Sequence, residues 1–323
     1  MKAIICPKFG SPDVLKFEEV ETPTPRENEV LVKIHASSIN SMDVEILRGR
    51  MQPLIHKPRF KILGTDIAGK IHEIGKDVKQ FQKGDEVFGD TSLVKYGAFA
   101  EYVCVPEGKL RLKPENLTFE EAATIPQSAV AALQGLRNKK QILRFKPEQK
   151  ILINGAGGGM GSFAVQIAKY FGAEVTGVDN SEKLDMLLSI GADHVIDYTQ
   201  QDFTKSGERY HMILDMQAHH SIFNYKRCLN PKGTYKVVGG SGKYILQTLF
   251  IGPFIPLFGN KKMSIAVWRP NNEKDINCIL KLIKSGNVVP FIDKRYPLRK
   301  VPDAFRYFEG NHHKGKIVII MEN

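Results

Sequence analysis

The chain has 323 residues, 42% of them hydrophobic and 25% charged, which suits two domains, or one large domain, with a sizeable core. No run of about 18 or more apolar residues occurs, and the first residues lack the charged-then-apolar layout of a signal peptide, so we expect no membrane span and a cytoplasmic location. The net charge of +11 comes from lysines spread along the chain, without a dense basic run, so a solvated surface fits better than a nucleic-acid interface.

Residues 1 to about 115 are typical of a β-rich domain. Short apolar or alternating segments, separated by glycines and prolines, predict strands at 30–34, 69–75, 84–89 and 100–103. The sequence changes character near residue 120, where Phe119 to Gly135 is rich in alanine and predicts a helix that is interrupted at Pro126.

From residue 150 to about residue 290, predicted strands alternate with predicted helices. This alternation predicts a parallel, doubly wound sheet. After about residue 290 the chain returns to a β-like tail that ends in Gly315-Lys316-Ile317-Val318. We therefore predict an α/β protein with a β-rich domain at 1–120 and 291–323 and an α/β domain at 121–290.

The strongest local signal is a glycine-rich turn that follows the apolar strand Ile151-Leu152-Ile153 and opens a helix. Glycines at such a turn let the backbone approach a pyrophosphate, and the helix N-terminus supplies free N–H groups and partial positive charge. The glycine spacing is a variant of the dinucleotide-binding motif, and a purely structural turn is the alternative. The predicted phosphate-binding residues are Gly155, Ala156, Gly157, Gly158, Gly159, Met160 and Gly161.

Two charged residues near the end of the second strand bear on the choice of cofactor. Asp179 ends that strand, where a carboxylate can bond the adenosine ribose hydroxyls and repel a 2′-phosphate, which slightly favours NAD(H) over NADP(H). Lys183 follows four residues later and could instead pair with a phosphate. An alternative for Asp179 is a carboxylate at a helix entry, near the positive end of the helix dipole.

An apolar stretch from Ile245 to Gly259 is too short, and too broken by Pro253 and Pro256, to cross a bilayer. Three interpretations stay open: a buried loop or subunit interface, a hydrophobic lid over a lipophilic substrate, or a contact with a membrane surface.

Several motifs occur in a characteristic order along the whole chain. Besides the glycine turn they are Ser38-Ile39-Asn40-Ser41-Met42-Asp43, Leu63-Gly64-Thr65-Asp66-Ile67-Ala68-Gly69, Gly84-Asp85-Glu86-Val87-Phe88-Gly89 and Gly191-Ala192-Asp193-His194-Val195-Ile196-Asp197-Tyr198. This combination resembles the zinc-free, quinone-oxidoreductase branch of the medium-chain dehydrogenase/reductase superfamily. The resemblance implies a GroES-like β-barrel catalytic domain with an inserted Rossmann nucleotide-binding domain, and a homodimer.

The resemblance also implies roles for residues outside the glycine turn. Asn40 would contact the nicotinamide end of the cofactor, Ser128 would lie near the cofactor, and Tyr198 would stack or form a hydrogen bond at the adenine. Gly239, Ser241 and Lys316 would close the nucleotide site. Structural alternatives are a turn residue for Asn40, half-buried packing for Tyr198 and an exposed strand position for Lys316. Asn40 and Met51 would line the substrate cleft; Met51 stands where some relatives carry a tyrosine, so the catalytic proton donor stays unassigned and water is a candidate.

The residues at the positions of the zinc ligands in zinc-containing relatives argue against a catalytic metal. Those relatives carry a cysteine at the position of Asn40, a histidine at that of Thr65 and a cysteine near Pro126, and none of these residue types is a zinc ligand here. The four cysteines are widely spaced and lack a CxxC pair, which indicates isolated thiols.

Without a Lewis acid, the feasible chemistry is direct hydride transfer from NAD(P)H to a small lipophilic acceptor that is already activated, namely a quinone or an α,β-unsaturated carbonyl. One alternative is an alcohol dehydrogenase with another metal arrangement. A second, from another class, is a non-enzymatic NAD(P)H-binding sensor or RNA-binding protein.

Overall fold

The computed structural model describes residues 1–50, 61–94, 96–137, 145–146 and 148–322. The chain divides into two compact units. The first comprises residues 1–130, 270–280 and 290–323, and the second comprises residues 131–269 and 281–289. In the part of the chain that is described, no helix is long and apolar enough to cross a membrane.

The strands in chain order are β1 (Lys2–Ile5), β2 (Lys16–Glu19), β3 (Glu29–Ser38), β4 (Asp66–Ile74), β5 (Glu86–Asp90), β6 (Tyr102–Pro106), β7 (Leu110–Leu112), β8 (Lys150–Asn154), β9 (Glu174–Asp179), β10 (His194–Asp197), β11 (Tyr210–Asp215), β12 (Leu229–Val237), β13 (Lys262–Ile265), β14 (Ile292–Pro297) and β15 (Lys316–Ile320). The α-helices are α1 (Ser41–Leu47), α2 (Phe119–Ala122), α3 (Val130–Leu136), α4 (Gly159–Tyr170), α5 (Leu184–Ser189), α6 (Ile222–Arg227), α7 (Gly242–Ile251), α8 (Glu273–Lys284) and α9 (Val301–Glu309).

The first unit is built on a largely antiparallel sheet in the order β14-β15-β3-β4-β5-β7, with β6 pairing the other part of β3 and a separate β1–β2 pair. The long strand β3 is buried along most of its length, so its apolar side chains form the centre of the core. Asp66 at the start of β4 lies opposite Ser38 at the end of β3, and Ser38 also pairs with Val318 of β15. This register brings polar residues from three strands to one end of the sheet.

The second unit contains a six-stranded parallel sheet in the order β10-β9-β8-β11-β12-β13. Strand order reverses beside β8, so the loops after β8 and β11 leave the carboxyl edge of the sheet side by side, where ligands bind in open α/β sheets. The predicted strand–turn–helix lies at this point, with Gly158 as the N-cap residue of α4.

The units differ from the predicted division at two places. Residues 121–130 lie in the first unit, where the Gln127 N–H donates to Asp66 Oδ1 at 3.1 Å. Residues 270–280 do as well, because the Asn271 amide group exchanges two hydrogen bonds with the Asp90 backbone, at 3.1 and 2.7 Å.

Two local predictions need correction. The predicted β-like tail contains α9, which buries Val301, Ala304 and Phe305 at helical spacing and carries Pro302 in its first turn, where a missing N–H is tolerated. The helix predicted over 119–135 is broken into α2, a π-helical turn at Ile125–Ala129 and α3. Pro126 lies in the π-helical turn, so the predicted interruption at this residue is correct.

Candidate active site

The glycine turn of the second unit has a conformation that its sequence dictates. Gly155 has φ +80°, a left-handed conformation that side chains disfavour. A Cβ on Gly161 would lie 2.2 Å from the Gly155 carbonyl oxygen, so the close approach of α4 to the turn requires glycine there. A Cβ on Gly158 would meet its nearest protein atom at 3.6 Å, an ordinary contact. The protein itself therefore leaves room for a side-chain atom at Gly158.

The Asp179 carboxylate points into the protein, toward the glycine turn. Its Oδ2 accepts a hydrogen bond from the Gly157 N–H at 2.8 Å, and Lys183 Nζ lies 3.1 Å from its Oδ1. Side-chain exposure is 4% for Asp179 and 1% for Lys183, so the ion pair is buried. The predicted pair is therefore brought together, but the negative charge of Asp179 is neutralised inside the protein. The alternative interpretation of Asp179, a carboxylate at the start of the next helix, explains only one of its hydrogen bonds, the one that it accepts from the Asn180 N–H at 3.0 Å.

The other predicted nucleotide residues of this unit lie at the same carboxyl edge of the sheet. Tyr198 follows β10, donates its N–H to the Asp179 carbonyl oxygen at 3.2 Å and leaves 43% of its surface exposed. Gly239 and Ser241 follow β12 and are tied to the loop after β11 through Ala218, whose N–H donates to Gly239 and whose carbonyl accepts from Ser241. The exposed Tyr198 ring is thus available to stack on a ligand.

A buried polar network that was not predicted from the sequence holds Asn154, the residue directly before the glycine turn. Asp215 Oδ1 accepts from Asn154 Nδ2 at 2.8 Å, and its Oδ2 accepts from the Tyr235 hydroxyl at 2.9 Å. Burial raises the pKa of Asp215, an effect that these hydrogen bonds oppose. Because Asn154 is the last residue of β8, the network fixes the point from which the glycine turn starts. An acidic residue directly after the apolar run Met212-Ile213-Leu214 was the available signal.

The first unit contains a second polar network, centred on Lys316. The Lys316 ammonium donates to Asn40 Oδ1 at 2.6 Å, Ser128 Oγ at 3.0 Å and the Ile39 carbonyl oxygen at 3.2 Å. These three acceptors match the three N–H bonds of a charged lysine. Lys316 is 1% exposed, so the interpretation of an exposed strand residue is wrong.

Asp66 supplies the opposite charge, with Oδ2 3.6 Å from Lys316 Nζ. The Asp66 carboxylate accepts from Asn40 Nδ2 at 2.9 Å, Ser38 Oγ at 3.0 Å and the Gln127 N–H at 3.1 Å. Burial raises the pKa of Asp66 and lowers the pKa of Lys316, and each charge opposes the shift of the other. The Asn40 side chain therefore lies between an ammonium on its oxygen side and a carboxylate on its nitrogen side.

Two further carboxyl groups, those of Asp43 and Asp90, are fully buried near this pair. Burial raises the pKa of Asp43 to about 8 and that of Asp90 to about 7, with neighbouring negative charge adding to both shifts. One oxygen of each, Asp43 Oδ1 and Asp90 Oδ2, has no hydrogen-bond partner within the described protein. Because one ammonium balances only one of the three carboxylates, Asp43 is mostly protonated near neutral pH and Asp90 is about half protonated.

The structure brings together Asn40, Ser128 and Lys316 from three distant parts of the sequence, and separately gathers the glycine turn with Asp179, Lys183 and Tyr198. Met51, the remaining predicted residue, lies outside the described residues. Sequence reasoning missed the charges of Asp43, Asp66 and Asp90, although the first two stand inside motifs already singled out.

Two segments of the chain match known families of dehydrogenases, and the chain as a whole is similar to known reductases. Residues 26–115 match the family described as "Alcohol dehydrogenase GroES-like domain", and residues 190–319 match "Zinc-binding dehydrogenase". The 2-methylene-furan-3-one reductase of Solanum lycopersicum is 34% identical, and the chloroplastic NADPH-dependent alkenal/one oxidoreductase of Arabidopsis thaliana is 31% identical. Each alignment covers 99% of this chain and 79% of the relative. The solved structure of the quinone oxidoreductase from Coxiella burnetii matches with a TM-score of 0.88 at 26% identity, covering 100% of this chain and 99% of that one.

The chain belongs to the medium-chain dehydrogenase/reductase superfamily, in its quinone-oxidoreductase-like branch. The predicted fold class, a GroES-like domain with a Rossmann domain, is confirmed. The chain is an oxidoreductase, as the names of its relatives indicate.

One of the two matching families is that of zinc-binding dehydrogenases, so the fit of the residues around Asn40 to a zinc ion bears on the chemistry. By the family resemblance, Asn40 and Thr65 stand at positions of metal ligands in zinc-containing relatives, and Asn40 Nδ2 lies 3.3 Å from Thr65 Oγ1. Ser128, two residues after Pro126, has its Oγ 3.3 Å from Asn40 Oδ1. These groups are amide and hydroxyl groups, and the Lys316 ammonium is bonded to two of the three residues. A positive charge at this place repels a second cation, so the residues do not fit zinc. In the part of the chain that the structure describes, no group of three histidine, cysteine or acidic residues is arranged to hold a metal ion.

Proposed function

We propose that this protein is a zinc-independent, NAD(P)H-dependent reductase that transfers hydride to a quinone or to the β-carbon of an α,β-unsaturated carbonyl. The observation that carries the proposal is the Lys316 ammonium bonded to Asn40 and Ser128. It puts a protein cation beside Asn40, which by the family resemblance stands at the position of a zinc-binding cysteine in zinc-dependent relatives. The activities named for the Solanum and Arabidopsis relatives support the same acceptor classes.

The glycine turn fits a dinucleotide. The space beside Gly158 and the N–H groups at the start of α4 would hold the pyrophosphate, Tyr198 would face the adenine, and Gly239 and Ser241 would border the same edge of the sheet. Asn40 and Ser128 would contact the nicotinamide end, as the family resemblance implies. When bound, the reduced nicotinamide supplies the hydride, and these residues bind and orient it.

Quinones and enones suit this arrangement because their own conjugation stabilises the negative charge that hydride addition creates. A simple aldehyde or ketone lacks that conjugation and needs a Lewis acid or a strong hydrogen-bond donor. Since no proton donor is assigned, solvent water would protonate the reduced product.

We propose further that both NADH and NADPH are accepted. Support comes from the Asp179–Lys183 ion pair, because a neutralised carboxylate repels a 2′-phosphate less than a free one. This differs from the slight preference for NAD(H) that Asp179 alone predicts.

A homodimer is the assembly that we propose for this chain. The α7 segment and the turn after it expose large apolar side chains, namely Leu246, Leu249, Phe250, Phe254 and Leu257. Exposed apolar surface of this kind marks an interaction site, and a lipophilic acceptor is the other ligand that it would suit.

The cytoplasmic location stays a prediction.

The experiment that tests the proposed reaction is oxidation of NADH and NADPH after chelator treatment, with a quinone, an enal and a saturated aldehyde compared at equal concentration. Chelator-resistant turnover of the first two acceptors, with slow or no turnover of the aldehyde, is the expected result. Tight cofactor binding without turnover of any acceptor would instead favour a nucleotide-binding sensor.

A further inference from the structure

The network around Lys316 joins elements that are distant in sequence but meet at one end of the barrel sheet. Lys316 is the first residue of β15, Asp66 is the first of β4, and Asn40 caps α1. Lys316 and Asp66 retain 1% and 0% of their surface, whereas Asn40 and Ser128 retain 5% and 6%. The charged pair is therefore the inner part of the network, and the amide and hydroxyl are its outer part.

A buried ion pair of this kind is a poor source of stability. Removing two charges from water costs about as much free energy as their attraction returns, so well-packed apolar side chains would stabilise the core about as well. The two additional buried carboxyl groups, Asp43 and Asp90, increase the cost. The arrangement is more readily explained by what the charges do to their neighbours.

The charges fix the Asn40 amide in one orientation. Its Oδ1 accepts from the Lys316 ammonium at 2.6 Å, and its Nδ2 donates to the Asp66 carboxylate at 2.9 Å. Exchanging the two ends of the amide would place NH₂ against the ammonium and oxygen against the carboxylate, so both contacts would become repulsive. The same ammonium donates to Ser128 Oγ, which turns the hydroxyl proton away from Lys316.

We propose that Lys316 is a positioning residue for the reduction: its buried ammonium, paired with Asp66, orients the Asn40 amide and the Ser128 hydroxyl for the nicotinamide cofactor. This role rests on the proposed reductase function, although the internal cation site itself does not. Because Lys316 is only 1% exposed, its effect on the reaction passes through Asn40 and Ser128.

The first test uses charge-balanced variants. Lys316→Met alone leaves Asp66 buried without its cation, so we expect both the thermal midpoint and kcat to fall, kcat by at least about tenfold. In the double variant Lys316→Met/Asp66→Asn the unpaired charge is gone, so the midpoint should recover while kcat stays low. Recovery of kcat together with the midpoint would overturn the positioning role, because it would show that Lys316 only balances charge.

The matched control is Lys113→Met. Lys113 belongs to the same unit, has a side chain only 5% exposed and pairs with Glu86 at 3.0 Å, but lies outside the Asn40 network. We expect this variant to lower the midpoint and to leave kcat per folded molecule unchanged. An equal loss of kcat in the control would contradict a specific role for Lys316.

The second test has a readout that needs no turnover. Lys316→Ala lacks the atoms of n-propylammonium, so we expect this cation to raise the thermal midpoint of the alanine variant and, in parallel, its kcat, whereas 1-propanol should do neither. If the wild type reduces no acceptor, the proposed function fails, but the midpoint measurement still tests the cation site. A midpoint that responds equally to propylammonium and propanol would overturn the cation site.

Discussion

Asp179 and Lys183, four residues apart at the end of β9, form an ion pair with Nζ 3.1 Å from Oδ1, and both side chains are almost completely buried. A carboxylate at this position of a Rossmann domain is usually an argument for NAD(H), because it repels the 2′-phosphate of NADP(H). The pairing with Lys183 reduces this repulsion, so Asp179 disfavours NADP(H) less than an unpaired carboxylate would.

We therefore expect Lys183→Met to shift cofactor preference. The variant leaves the Asp179 charge unneutralised, so kcat/KM for NADPH should fall about tenfold more than kcat/KM for NADH. Steady-state kinetics with both cofactors and one quinone measure the ratio. Lys205→Met, at a lysine whose side chain is 79% exposed in the same unit, is the control and should leave the ratio unchanged. An unchanged ratio in Lys183→Met would show that the pair does not set cofactor preference.

Gly158→Ala and Gly161→Ala form a matched pair that separates binding from folding. The Cβ at Gly161 would collide with the Gly155 carbonyl oxygen at 2.2 Å, so Gly161→Ala should lower the thermal midpoint measured without cofactor. The Cβ at Gly158 would meet no protein atom closer than 3.6 Å, so Gly158→Ala should keep its midpoint and lose about tenfold in NADPH affinity. Nicotinamide fluorescence gives the affinity. A Gly158→Ala protein that binds NADPH like the wild type would place the pyrophosphate elsewhere.

The buried carboxyl group of Asp43 predicts a pH dependence of stability. Burial raises its folded-state pKa to about 8, so between about pH 4 and pH 8 the folded protein keeps a proton that the unfolded chain releases. The free energy of unfolding therefore falls as the pH rises through this window. Asp43→Asn removes the titration and keeps an acceptor for the Asn40 N–H, so its thermal midpoint should depend less on pH than that of the wild type. Asp77→Asn, at an exposed position, should behave like the wild type; equal pH slopes for all three proteins would contradict the expectation.

The exposed side chains of α7 predict the oligomeric state. We expect light scattering on a size-exclusion column to give twice the chain mass of 36.3 kDa for the wild type, and the single chain mass for Leu249→Gln/Phe250→Gln. Tyr170→Gln, at a residue 49% exposed on α4, is the control and should remain a dimer. A monomeric wild type would contradict the dimer, and loss of quinone turnover in a variant of unchanged mass would favour the substrate-lid interpretation.

The sequence predicted best what depends on local pattern. The β8–turn–α4 segment was predictable because an apolar strand, a glycine run and a helical repeat follow one another directly, and each restricts the backbone by itself. The helix α9 was missed because its buried face consists of three residues within a short segment that lies between two β-like stretches.

Hydrogen bonds and ion pairs between side chains that are far apart in the sequence could not be predicted. Nothing local to Lys316 indicates that its ammonium meets Asp66 and Asn40, because the meeting depends on the register of β15, β3 and β4. The inward turn of Asp179 is likewise a tertiary effect. The Asp179 carboxylate accepts a hydrogen bond from the Gly157 N–H, and the buried Lys183 ammonium beside it stabilises this inward orientation.

The most direct test of zinc-independent hydride transfer is to measure quinone reduction by NADPH before and after exhaustive chelation, with the metal content of the same sample determined in parallel. We predict an unchanged kcat in metal-free protein, and no increase when zinc is added, because Asn40 and Ser128 offer zinc no thiolate or imidazole and are bonded to the Lys316 ammonium. Activity that is lost on chelation and restored by stoichiometric zinc would contradict the account.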